Sequence, residues 1–222
     1  MRLGRKWLVL ATLGVALAFV LTIHDFLAIS RPVNGDILVV EGWIWRSSAM
    51  KEAAEEFHRG HYKWLVTVGE SFEDDGKGSA QRDSGELAAK RLREYGVDEG
   101  SIVVLPGPNV PRHRTYASAL MLREWLARSK TETTGVNVFT LGAHARKSVV
   151  LFERALGAGT RVGVIAGTDD SYNAHRWWLS TTGIYVIMRK TAGYLYAVCW
   201  PLPQNLAVSK PGPTHSAKKD GR

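Results

Sequence analysis

The sequence holds a single cysteine, Cys199, among 222 residues. No internal disulfide can form, so stability must come from a packed core, and a chain of this length has room for one good core. Several local signatures are also missing. No GxxxxGK[ST] or GxGxxG run follows the first apolar stretch, which argues against the common nucleotide cradles, and there is no HExxH pair for a zinc hydrolase. A basic footprint is missing from the middle of the chain as well. Of the formal +8, Arg2, Arg5 and Lys6 supply three, and the tail with Lys210, Lys218, Lys219, Arg222 and Asp220 supplies a net three more. The intervening chain is close to balanced despite an overall pI of about 9.7, so nucleic acid is not an expected partner.

What is present begins with a basic end followed by an uncharged apolar run from Trp7 to Ile23. Seventeen residues at ~1.5 Å each reach ~26 Å, so Phe26 to Ile29 are needed to help cover a hydrocarbon core of roughly 30 Å. A cleaved signal peptide shares this pattern, but the Ala16-Leu17-Ala18 triplet lies inside the apolar run rather than after it. Residues 1–31 are therefore read as a cytoplasmic basic end and a transmembrane anchor. Positive charge stays inside, so the rest should face the periplasm or the outer surface. Residues 201–222, rich in Pro and Lys, have little to bury and are expected to be disordered.

Between these ends, short β-branched runs at 36–40, 64–68, 101–105, 136–140 and 161–165 alternate with helical spacing at 47–59, 79–95, 115–128 and 145–156. The runs lack polar alternation, as strands covered on both faces should. The pattern predicts an α/β domain over 32–200: a three-layer, open, mostly parallel five-stranded sheet with helices on both faces. Right-handed crossovers place every strand's C-terminal end on one edge, where ligands bind at the reversal of strand order. Orders 3-2-1-4-5 and 2-1-3-4-5 both fit. In the first Glu41 faces His144; in the second it faces the loop 106–115. The stretch 183–200 is apolar enough to suggest a second span, but Arg189 and Lys190 fall in its middle, so a helix packed on the sheet with its cations outward is favoured. Trp177 and Trp178 suit either ordinary packing or a bilayer surface.

The loops on the expected ligand edge carry the candidate chemistry. Gly69-Glu70-Ser71-Phe72-Glu73 approaches a nucleophile elbow, but Glu73 replaces the final glycine that so tight a turn needs. His113, His144 and His175 follow successive strands, and a three-histidine zinc site is conceivable, although no local spacing supports it. Anion binding is the stronger expectation. Arg112, His113 and Arg114 open one helix at Thr115, and His144, Arg146 and Lys147 open another. A helix start offers unpaired N–H groups and partial positive charge, so cations there oppose stability unless an anion compensates. Pairing with Glu41, Glu70 or Glu86 is the plainer alternative. Glu41 ends the first strand, where a carboxylate can act as general base, and Glu86 lies in the first turns of a helix.

The succession GDILVVEGW, VTVGE, a helix led by Glu86, YGV before the third strand, a loop closing on Thr115, and GAHARKS resembles the SanA/YdcF/ElyC family of bacterial envelope proteins. The resemblance covers roughly residues 36–156. It implies a membrane anchor, a three-layer α/β fold and a part in envelope integrity or in cell-wall or surface-polysaccharide metabolism. Carried over by position, it implies site residues Asp36, Glu86, Thr115, His144 and Arg146. The chain departs from the family in Glu41-Gly42-Trp43, where a glycine-rich turn is frequent, and in Lys190, where the last helix often carries Glu. The expected site is thus His144, Glu41 and Glu86 for catalysis and Asp36, Glu70, Arg114, Thr115 and Arg146 for the ligand. No metal and no particular cofactor are assigned. The expected ligand is an anionic small molecule or lipid-linked envelope intermediate. If it turns over, the reaction is hydrolysis or transfer at a phosphate ester or pyrophosphate, with His144 handling the proton. A nucleotide-like or adenosyl ligand held without turnover and a scaffold for envelope assembly are the alternatives.

Overall fold

Buried apolar runs and amphipathic helices alternate along the chain, and they assemble as one parallel sheet. The computed structural model describes residues 2–44, 46–69, 83–107, 110 and 112–201. Glu70, Ser71 and the tail 202–222 lie outside the described residues. The strands β1 (Ile37–Glu41), β2 (Trp64–Val68), β3 (Ile102–Leu105), β4 (Val136–Leu141) and β5 (Val162–Gly167) pair in the order β3-β2-β1-β4-β5. Every pairing in the sheet is parallel. Strand ends differ from the sequence pattern by a residue or two, because terminal residues such as Glu41 join the ladder without being apolar.

Strand alternation sends side chains to two cores. Ile37, Val39, Val66 and Val138 pack under helices α4 (Arg114–Ser129) and α5 (Ala145–Leu156), against Leu122 and Phe152. Leu38, Val40, Leu65 and Phe139 pack on the opposite face under α2 (Ser47–Arg59) and α3 (Ser84–Glu94), against Met50, Ala53 and Leu92. Three layers follow directly from these two faces.

The N-terminal helix α1 (Arg2–Leu27) contains one segment, Lys6–Leu27, long and apolar enough to cross a membrane. Twenty-two residues at ~1.5 Å span ~33 Å. Most of the segment is exposed, but Ile23 and Leu27 are buried in a third cluster with Ala143, Tyr172, Trp177 and Ile187. The chain leaving α1 is tied to the sheet. Arg31 exchanges backbone hydrogen bonds with Val164 at 2.8 and 3.2 Å, and Val33 exchanges two at 2.8 Å with the Asn137 side chain. The last helix, α6 (Thr181–Cys199), packs on α5 and α1 rather than on the sheet. Its prediction as a sheet-covering helix is corrected accordingly.

Candidate functional site

The reversal of strand order lies between β1 and β4, and a cleft of about 640 Å³ opens there between α4, α5 and α6. Its floor is Glu41. Alternation along β1 turns Glu41 to the α4/α5 face, and the register that pairs Val40 with Phe139 sets Glu41 beside Thr140. The Thr140 hydroxyl donates to Glu41 Oε2, and Ser148 on α5 donates to the same oxygen at 3.1 Å. Burial pushes the Glu41 carboxyl above its usual range, although both hydroxyls and Lys190 and Lys147 favour its charged form.

His144 forms the adjoining wall. It closes the single turn Gly142–His144 that leads from β4 into α5, and it is buried. Its Nε2 lies 3.8 Å from Glu41 Oε2 and 3.5 Å from Thr115 Oγ1, and its Nδ1 lies 3.1 Å from Lys190 Nζ. A lysine ammonium only donates, so Nδ1 accepts and the proton sits on Nε2, facing Glu41 and Thr115. Burial, reinforced by Lys190, Lys147 and Arg189, holds the imidazole well below its usual pKa, and it is neutral. The Trp43 ring meets the imidazole edge-on at 5.1 Å and lies under the Lys190 ammonium at 4.8 Å.

The rest of the lining is strongly cationic. Arg112, Arg114, Lys147, Arg189 and Lys190 reach the cleft, with Glu41 as the only carboxylate among its described lining residues. Burial, with Arg189 and Arg114 nearby, lowers the pKa of Lys147 against the pull of Glu41. Burial and then Arg189 bring Lys190 down to about 8. The α4 start adds backbone donors. Its N-cap residue, His113, has the left-handed φ of 59°, makes no side-chain cap, and stacks its ring on Tyr196 of α6 at 5.8 Å. A non-glycine residue there costs about 1–2 kcal/mol, so surrounding contacts must hold this bend.

Glu41, His144, Arg114 and Thr115 therefore meet in the cleft. Other expected residues lie elsewhere. Asp36 precedes β1 at the opposite edge of the sheet, accepting from Thr133 Oγ1 at 2.5 Å and from the Thr134 backbone at 3.0 Å. Burial pushes its carboxyl up, but these hydrogen bonds together outweigh it and leave the pKa below the usual value. Asp36 is thus a clasp between loops. Glu86 is exposed in the first turn of α3, where it meets the helix dipole, and does not line the cleft. Arg146 turns ~100° away from Lys147 around α5 and serves α1 instead. Its Nε donates to the Phe26 carbonyl, and its guanidinium lies 3.9 Å from the centre of the Phe26 ring. Glu70 is outside the described residues.

His113 reaches the cleft with His144, whereas His175 sits beside α1 near His24. Among the described residues no group of three or more His, Cys, Asp or Glu side chains is placed to hold a metal ion. Sequence reasoning missed Thr140, Ser148 and Lys190 as members of the site. The signal for Lys190 was its spacing with Gly183, Ile187 and Ala197, which puts it on the buried face of α6. Comparison with protein-family models, curated proteins and solved structures returns no match.

Proposed function

We propose that the cleft binds a phosphate-bearing anion, and that it hydrolyses or transfers a phosphate ester or pyrophosphate. The observation that carries this reading is the lining: among its described residues five cations stand around one carboxylate, beside the start of α4, whose N-cap His113 makes no side-chain cap. A cleft so rich in positive charge, at the start of a helix, attracts anions. Arg114, Lys147 and the α4 backbone hold the phosphoryl oxygens. Neutral His144 offers its Nε2 proton as a hydrogen-bond donor to the developing charge. Glu41 takes a proton from water as the new oxygen–phosphorus bond forms. The ester bond breaks, and the leaving oxygen takes its proton from Lys190.

The SanA/YdcF/ElyC-like residues and the apolar α1 support a setting for this activity. We place the chain in the bacterial inner (plasma) membrane as a single-pass protein, with its α/β domain on the periplasmic or outer face. The ligand is then an anionic small molecule or lipid-linked intermediate of cell-wall or surface-polysaccharide metabolism. A second reading, binding without turnover, is favoured by Glu41 Oε2 and His144 Nδ1, which already accept hydrogen bonds within the protein.

Thermal-shift measurements on the full chain in detergent, with inorganic phosphate and pyrophosphate as probes, test the binding. Saturation at a hundredfold over Kd should stabilise by about 2.7 kcal/mol. The shift should shrink in Lys147→Ala. No shift with either probe at millimolar concentration would sink the reading. Phosphate release from pyrophosphate or an aryl phosphate, lost in Glu41→Gln, separates turnover from binding alone.

A further inference from the structure

Helix α6 has two unlike faces. Gly183, Ile187 and Ala197 are buried, and Lys190 turns inward with them to the cleft. Ile184, Tyr185, Met188 and Leu195 recur at helical spacing on the other side and are exposed. Just before the helix, Leu179 is 70% exposed; Tyr185 and Met188 are 63% and 53% exposed. An apolar stripe of this length on a protein surface marks a contact.

What covers it follows from its attachment to α1. The Trp177 indole N–H donates to the Val20 carbonyl at 3.2 Å, and Trp177 is buried with Ile23 and Leu27. Phe26 meets Tyr194 of α6 edge-on at 5.5 Å. With the Arg31–Val164 bridge, these contacts fix the domain's attitude relative to the apolar helix. Measured from Lys6, ~20 residues at ~1.5 Å each cover a ~30 Å hydrocarbon core, so its far boundary falls near Phe26. Val20 lies six residues earlier, ~9 Å inside that boundary. Interfacial elements seat their apolar side ~5–10 Å into the headgroup and acyl boundary, and tryptophan and tyrosine concentrate there.

We infer that the turn Ala174–Leu179 and the outer face of α6 lie in the lipid interface beside α1, with Leu179, Ile184, Tyr185 and Met188 against acyl chains. Arg176 and Arg189, both exposed, flank the stripe and suit anionic headgroups. The inference rests on α1 crossing the bilayer. Because α6 also carries Lys190, the phosphate cleft then stands beside the headgroup layer.

Nitroxide labels test this on the full chain. In a Cys199→Ser background, Leu179→Cys, Met188→Cys, Leu13→Cys and Lys90→Cys are labelled and reconstituted into vesicles of equal parts phosphatidylcholine and phosphatidylglycerol. Collision with oxygen and with a soluble nickel chelate is then measured. The labels at 179 and 188 should favour oxygen, as the label at 13 does, while the label at 90 favours nickel. Nickel access at 179 and 188 equal to that at 90, with 13 still buried in lipid, overturns the inference and leaves the anchor standing. Low access to both reagents at 179 and 188 means a protein covers the stripe, which also overturns it. If 13 itself favours nickel, the anchor reading and the inference fall together.

Discussion

Lys190 shows how one residue's surroundings set the chemistry of the cleft. Burial and the neighbouring Arg189 bring its pKa from 10.5 to about 8. The unfolded chain therefore binds the proton more tightly, and unliganded folding stability should rise as pH goes from about 8 toward 10.5, where only the unfolded state is still charged. Anion affinity should move the other way, because the ammonium that attracts the ligand is lost above about pH 8. A bound phosphate raises the Lys190 pKa again, so calorimetry near that pH should record proton uptake on binding. Lys190→Arg should remove the pH step, since arginine stays charged. Lys190→Ala should lower phosphate affinity roughly ten- to hundredfold, the loss of a charge-assisted hydrogen bond. A pH profile unchanged in the arginine variant would assign the step to another group.

At the scale of elements, the start of α3 packs directly on the backbone that follows β1 and β2, where Gly69 and Ser84 reach the cleft. A Cβ on Gly42 would lie 2.8 Å from the Ser84 and Gly85 backbone, and one on Gly69 would lie 2.0 Å from Gly85 N. Asp83 caps α3 at this point, accepting from Gly85 N at 2.6 Å and from Gly107 N at 2.9 Å. Gly42→Ala should therefore cost about 1–3 kcal/mol, since backbone cannot yield as a side chain can. For a chain of this size that is a fall in melting temperature of roughly 2–4 °C per kcal/mol, readable by calorimetry. An unchanged melting temperature would mean that α3 can slide outward.

The same elements show what could be read from sequence. Strand and helix alternation revealed the sheet, and parity along β1 and β4 was enough to put Glu41 and Thr140 on one face. His144 and Thr115 were legible because they sit at strand-to-helix junctions. Arg146 and Lys147 were not separable, because the two adjacent cations differ only by a ~100° turn, and α5's neighbours decide which one faces the cleft. Asp36 rests on resemblance alone, which fixes an order along the chain but not an edge of the sheet, and Glu86 rests on its place in a first helical turn, which does not fix the face it presents. Lys190 was read as a solvated cation because a lysine on a buried face needs a cleft to receive it. The cleft itself is made by residues far apart in sequence.

For the whole molecule, the question is which way the domain faces. The segment Lys6–Leu27 has Arg2, Arg5 and Lys6 at its beginning, and its end is locked to the α/β domain through Trp177 and Arg146. Basic residues resist translocation, so the domain should lie on the far side of the membrane from the N-terminus. The sole native thiol makes this measurable. In a Cys199→Ser background, Lys90→Cys on the exposed surface of α3 should react with a membrane-impermeant maleimide added to intact spheroplasts, as fully as after lysis. Arg5→Glu combined with Lys6→Glu should reduce that reaction before lysis by weakening the orienting charge. Labelling of Lys90→Cys only after lysis would place the domain in the cytoplasm. The anion proposed for the cleft would then be a cytoplasmic one, and the proposed part in cell-wall or surface-polysaccharide metabolism would be withdrawn.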